Sequence, residues 1–272
     1  QCACRILGRM APLSNAAGLP QYQAYIINRG IRLAIENEVG ESSMSLWAMK
    51  SILLSKQGRY AEAQKIAIGC LALTAQYPKS RDIAVAYSCI GSLCWFYLEP
   101  FSEAVALQQK AYEQGIEMGD IQWGAVAGLS NQVINRFVMG EPLSQLSSLL
   151  QQLHSLLTRY KKKVAAGSYY IRIVELLMKP NTPNLLDKNA FTAEEWRLIQ
   201  GCVLKPFLEH LQVQWLFWSD QTEQAWQAVK DAESSLVLMA GFITPLEHRF
   251  LAALLACKKY PDATKKEQQV LN

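Results

Sequence analysis

IAVAYSCIGSLCWFYLEPFSEAVALQQKAYEQGIEMGD, residues 83–120, decides how this chain is read. Residues 83–98 are uncharged and mostly apolar, a break falls at Glu99-Pro100, and apolar or small residues then recur at 101, 104, 105, 111, 112, 115 and 116. Recurrence at three and four marks one face of a helix. Proline suits a helix's first turn, where its missing N–H has no partner to lose, so the break reads as a turn between two helices. The stretch is a helical hairpin.

The same unit recurs on both sides. Ser42–Lys56 reads as a helix, Gly58-Arg59-Tyr60 as a tight turn, and Ala61–Gln76 as a second helix stopped before Pro78. Within GRYAEA (58–63), Ala63 stands where the second helix must cross the first closely, and Ala104 takes that place 41 residues later. Another 41 residues lead to Gln145 in GEPLSQL (140–146), and two steps of 40 lead on to Ala225 in DQTEQA (220–225). A fixed period of this length marks a solenoid of helix pairs, each burying its apolar stripe only against its neighbours. The expected fold is all-α, a right-handed solenoid of about six helical hairpins with the first helices lining a concave face.

Outward from these units the pattern loosens. Ile6, Leu7 and Met10 end one helix, and Pro12, Ser14, Asn15 and Gly18 make a turn. Pro20 opens the next helix, whose face carries Tyr22, Tyr25, Ile26, Gly30, Leu33 and Ala34 before Gly40 ends it. Further on, helix Ala165–Met178 leads into an irregular Pro/Asn-rich loop over 179–191, and Phe191-Thr192-Ala193-Glu194-Glu195 starts a short helix. Cys202–Trp218 and Thr222–Gly241 form a hairpin, and Pro245–Tyr260 is a helix with the apolar stripe Leu246, Phe250, Leu251, Ala253, Leu254 and Leu255. Its pairing helix would start near Thr264, leaving part of that stripe bare. Since the chain opens on Gln1 without a methionine, residues 1–272 read as a single helical-repeat region excised from a larger multidomain protein.

Composition bounds the function. Half the residues are apolar, and 27 basic against 23 acidic residues give a net charge of only +4, which demands neither nucleic acid nor an anionic membrane. Seven cysteines, among them Cys70, Cys89, Cys94, Cys202 and Cys257 inside apolar helical patterns, read as reduced thiols acting as small hydrophobes in a cytoplasmic protein. The longest uncharged apolar run falls short of the about 20 residues that cross a bilayer, and the first ten residues lack a signal-peptide core.

A search for chemistry nominates no catalytic, cofactor-binding or metal-ligating residue. No GxxxxGK[ST] phosphate loop, GxGxxG turn or GxSxG elbow occurs. His154, His210 and His248 lie far apart without ligand-type neighbours, and Cys2-x-Cys4 is one residue short of the usual zinc or redox spacing. The paired acids Glu194-Glu195 and Glu36/Glu38 suit helix first turns and exposed faces. The basic cluster Arg159-Tyr160-Lys161-Lys162-Lys163 reads as a solvated turn. Trp95-Phe96-Tyr97 and Trp215-Leu216-Phe217-Trp218 read as filling between stacked hairpins.

The unit pattern, with a small residue at the crossing, a Gly-x-Tyr turn and a Glu-Ala start to the second helix, resembles the longer variants of the tetratricopeptide repeat. More specifically, AYEQGIEMGDIQWG (111–124), FVMGEPLSQL (137–146) and PLEHRFLAALLACKKYPDATKKEQQVLN (245–272) resemble the helical region in the middle of large bacterial hybrid signalling proteins. There a Ser/Thr protein kinase and an AAA-type ATPase precede it, and a GAF sensor and a histidine kinase follow. The resemblance implies a non-catalytic scaffold or sensor segment that couples those modules by docking neighbouring domains, another protein or a small effector. It implies ATP and Mg for the parent protein only, and no nucleic acid or membrane as partner. Two alternatives stay open: the sensor arm of an ATPase-type transcriptional regulator, and a free-standing tetratricopeptide adaptor.

Overall fold

In the computed structural model three of the interhelical turns close in the same way. The structure describes residues 2–161 apart from 18 and 38, residues 204–262 apart from 240, and isolated positions between 170 and 197. Within that range the chain is helical, with no strand among the described residues. It divides into two compact units, Gln1–Val174 and Glu175–Asn272.

The first unit contains α1 (Cys2–Ala16), α2 (Pro20–Asn37), α3 (Met44–Lys56), α4 (Tyr60–Gln76), α5 (Asp82–Leu93), α6 (Phe101–Met118), α7 (Ala127–Val138) and α8 (Leu143–Arg159). Its helices pair as α1/α2, α3/α4, α5/α6 and α7/α8, while α3 packs on α1, α5 on α3 and α7 on α5. In the second unit α9 (Leu204–Trp218), α10 (Thr222–Glu233) and α11 (Thr244–Lys259) pack on one another around Val213, Leu216, Ala225, Val229, Leu251 and Leu255.

The α3/α4, α7/α8 and α9/α10 turns each place one residue in the left-handed region: Gly58 at φ 74°, Gly140 at φ 74° and Asp220 at φ 59°. That residue's N–H bonds the carbonyl three back (Ser55, Phe137, Phe217), and the next N–H bonds the carbonyl five before itself (Leu54, Arg136, Leu216). This paired closure satisfies helix-end carbonyls and favours glycine, because it needs a positive φ.

The close-crossing register follows from these turns with one correction. Ala63, Ala104 and Ala225 are each the fourth residue of their helix and fully buried. Gln145 is exposed, and Leu146, the fourth residue of α8, takes the buried place. Pro142 is the cause: it stands before the first helical residue with ψ at 132°, so α8 starts three residues after Gly140, where α4 and α10 start two after Gly58 and Asp220.

Three other expectations change. First, α1 continues through Pro12 to Ala16 instead of turning there. Proline costs it the hydrogen bond to the Gly8 carbonyl, but Cys4 and Ala11 are buried on its inner face and hold the helix in place. Second, the inner face of α2 carries Gln23, Ile26, Ile27, Ile31 and Ala34, while Tyr22 and Tyr25 are exposed. Gly30 fixes that rotation, since a Cβ there would stand 2.7 Å from the Leu46 side chain.

Third, α5 ends at Leu93, and Trp95–Tyr97 forms a separate 3-10 turn. Phe96 stacks on Phe101 and Tyr97 on Tyr60, with ring centres 5.7 and 5.8 Å apart, so the aromatics fold back across the turn rather than extending the helix. Of the α11 stripe, Leu251 and Leu255 are buried while Leu246, Phe250 and Leu254 are exposed, in line with the expectation that part of it is bare. The expected 179–191 loop, most of the helix expected over 165–178, and Thr264 lie outside the described residues. Among the described residues no helix is long and apolar enough to cross a membrane.

Enlarging a fully buried crossing residue forces extra volume into a packed interface. Ala104→Leu is expected to cost about 1–3 kcal/mol, whereas Ala106→Leu, at an exposed position, should cost much less. Urea melts of the two variants check this: equal midpoints would show the register to be misassigned.

Candidate functional site

Because the first helices of successive hairpins stack on one another, the second helices diverge, and α4 and α6 both pack on α5 with at most marginal contact between themselves. A cavity of about 260 Å³ opens there. Ala75 and Pro78 at the end of α4 and Ile83 of α5 give it an apolar wall. Lys110, Glu113 and Gln114, three and four residues apart, bring one face of α6 to its rim.

The polar groups of this groove are ordered by one hydroxyl. Thr74 Oγ1 lies 2.7 Å from the Leu71 carbonyl and 3.1 Å from Tyr87 Oη. Thr74 thus shares its one proton between the Leu71 carbonyl and Tyr87 Oη, and the Tyr87 hydroxyl keeps its own proton to donate. The Lys110 ammonium sits 5.9 Å from the centre of the Tyr87 ring. Gln114 donates to Glu117, and its Oε1 is buried with no hydrogen-bond partner.

A second polar constellation is structural. Asp82 at the start of α5 is fully buried, and Arg9 and Arg5 of α1 reach its two oxygens at 3.1 and 3.3 Å. Arg9 also grips Asp120 at 2.6 Å, and Arg5 reaches Glu41 at 3.2 Å. Asp120 in turn accepts from the Trp123 N–H, capping the π-helical turn Ile121–Val126 that leads into α7. Every Asp82 oxygen has a donor, so the arrangement holds three helical elements together and offers a ligand nothing unsatisfied.

In the second unit, folding brings His210 of α9 and His248 of α11 together, their ring centres 5.9 Å apart and both side chains almost wholly buried. His210 Nε2 lies 3.3 Å from Glu247, and His248 Nε2 lies 3.3 Å from the Val229 carbonyl. Both Nδ1 atoms lack a partner, as do Thr244 Oγ1 and Gln214 Oε1. Burial, then the neighbouring His210, pushes the His248 pKa below its ordinary value, so His248 stays neutral near neutral pH.

The other residues weighed from sequence fall apart in space. His154 is exposed, Cys2 is exposed and Cys4 buried, and Glu36 pairs with Arg32. Arg159 stacks over Tyr160. Cys70, Cys89 and Cys94 are buried, and burial pushes each thiol up to about 12, while Cys257, read as a core thiol, is exposed. Burial lowers the Lys56 ammonium to about 8. Trp95 and Phe96 are buried, whereas Trp218 is exposed. Glu38, Lys162, Lys163, Glu194, Glu195 and Cys202 lie outside the described residues.

Among the described residues no group of three or more His, Cys, Asp or Glu is arranged to hold a metal ion. Sequence reading missed both the groove and the Arg5/Arg9/Asp82 clasp, because each joins residues from separate helices. No protein-family model matches this chain, and neither a curated protein nor a solved structure matches it.

Two measurements follow. Arg9→Met removes one of the two cations at fully buried Asp82, and the expected destabilisation lies toward the lower end of the about 3–5 kcal/mol cost of breaking a buried pair. A urea midpoint unchanged in this variant would exclude the clasp. As pH falls below about 6.5, the unfolded chain protonates His248 while the folded chain resists, so stability drops until the pH passes the lowered folded pKa. Urea melts of the second unit at pH 7.5 and 5.5 should therefore show a smaller loss in His248→Gln than in the unaltered chain.

Proposed function

We propose that this chain is a non-catalytic scaffold or sensor segment of a multidomain ATP-dependent signalling kinase. Its repeat is a right-handed solenoid of helical hairpins, about six along the sequence with a 40–41 residue period. The observation that carries this reading is the recurring turn. Gly58, Gly140 and Asp220 stand 82 and 80 residues apart, twice 41 and twice 40, and each is followed by a helix whose fourth residue is buried.

Repeat arrays offer long faces built by stacked first helices, a geometry suited to holding other domains. In the first unit α1, α3, α5 and α7 stack in this order. The likeness of residues 111–124, 137–146 and 245–272 to the middle region of hybrid signalling proteins supports the kinase setting, and the absence of phosphate-loop and GxGxxG signatures supports a passive role. Its partners are then neighbouring domains or another protein, and ATP and Mg belong to the parent's other domains.

Titration calorimetry with Mg-ATP on this chain should give no saturable heat. Saturable binding abolished by a point substitution within residues 1–272 would overturn the non-catalytic reading. Sequencing the gene on both sides of the coding stretch tests the setting: Ser/Thr kinase, ATPase and histidine kinase signatures are expected, and a DNA-binding helix-turn-helix in their place would replace this reading with that of a transcriptional regulator.

A further inference from the structure

We infer that the groove between α4 and α6 is a binding site for a free α-amino acid, held as its zwitterion. This deepens the sensor reading and rests on it, by naming the class of effector. Size comes first. At about 260 Å³ the cavity lies below the about 300–1,000 Å³ of drug-sized sites and suits a ligand of amino-acid size.

Charge comes second. Lys110 and Glu113 are exposed at the rim, three residues apart on α6, and Lys110 makes no ion pair among the described residues. They present a cation and an anion side by side. An α-amino acid carries the complementary pair on adjacent atoms, its carboxylate for Lys110 and its ammonium for Glu113.

The Tyr87 hydroxyl comes third. Its oxygen accepts from Thr74, so its own proton is left for the ligand carboxylate beside Lys110, while Glu113 takes the ammonium. The ligand's side chain then lies along Pro78 and Ile83, which favours apolar amino acids over charged ones. A peptide interior or a simple carboxylic acid would bring no ammonium to Glu113, whose one printed bond is from the neutral Gln109 amide.

The test is calorimetric titration of the whole chain with L-leucine and L-phenylalanine, followed by N-acetyl-L-leucine, which lacks the ammonium, and L-leucinamide, which lacks the carboxylate. Saturable binding of a free amino acid is expected, weakened at least tenfold by either blocked derivative. Lys110→Met and Glu113→Gln should weaken the free amino acid at least tenfold as well, with unchanged thermal unfolding because both side chains are exposed. Blocked and free ligands binding alike, or neither free amino acid binding in the millimolar range, would overturn the proposal. Either failure leaves the scaffold reading standing, since that reading falls on Mg-ATP binding or on the flanking gene.

Discussion

Backbone-to-backbone contact between helices is the constraint on which the first unit depends. Where α6 meets the turn into α7, a Cβ added to Gly115 would stand 2.2 Å from the Ala125 nitrogen, and one added to Gly124 would stand 2.7 Å from the Gly115 Cα. No side chain fits between these segments. Helices this close trade side-chain interdigitation for direct contact of their backbones, and such packing tolerates almost no change of volume. The π-helical turn at Ile121–Val126 belongs to the same constraint: one extra residue in the turn shifts the facing side chains so that Gly124 comes opposite Gly115.

Around that contact the polar groups are placed by packing. Asp82 is buried at the head of α5 because α5 itself is enclosed by α3, α6 and α7, and a carboxylate there is tolerable only with cations beside it. Arg5 and Arg9, one turn apart on α1, supply them from 77 and 73 residues away. The second unit solves its polar burial differently. There His248 is held neutral by burial, and four buried polar atoms are left unpaired.

Hairpins, turns and crossings were largely readable from sequence because glycine, proline and small residues act locally. Gly58 and Gly140 announce left-handed turn residues, and Ala63 and Ala104 announce close crossings. The misassignment at Gln145 came from counting residues through Pro142, which delays the helix by one position. The end of α5 at Leu93 was hidden because Trp95-Phe96-Tyr97 is as apolar as the helix before it. The candidate site was not readable at all. Lys110 and Glu113 look like an ordinary exposed helix face until α4 and α6 are seen to part over α5, and no local pattern encodes that divergence.

The buried thiols also set a clock for opening of the chain. Thiolate is the reactive form, and with Cys70, Cys89 and Cys94 raised to about 12 almost none exists in the closed fold near neutral pH. Alkylation of these three must wait for α4 or α5 to expose them, whereas Cys2 and Cys257 lie open to reagent from the start. One labelling time course thus separates into a fast phase from the surface and a slow phase whose rate reports how often the middle of the first unit comes apart.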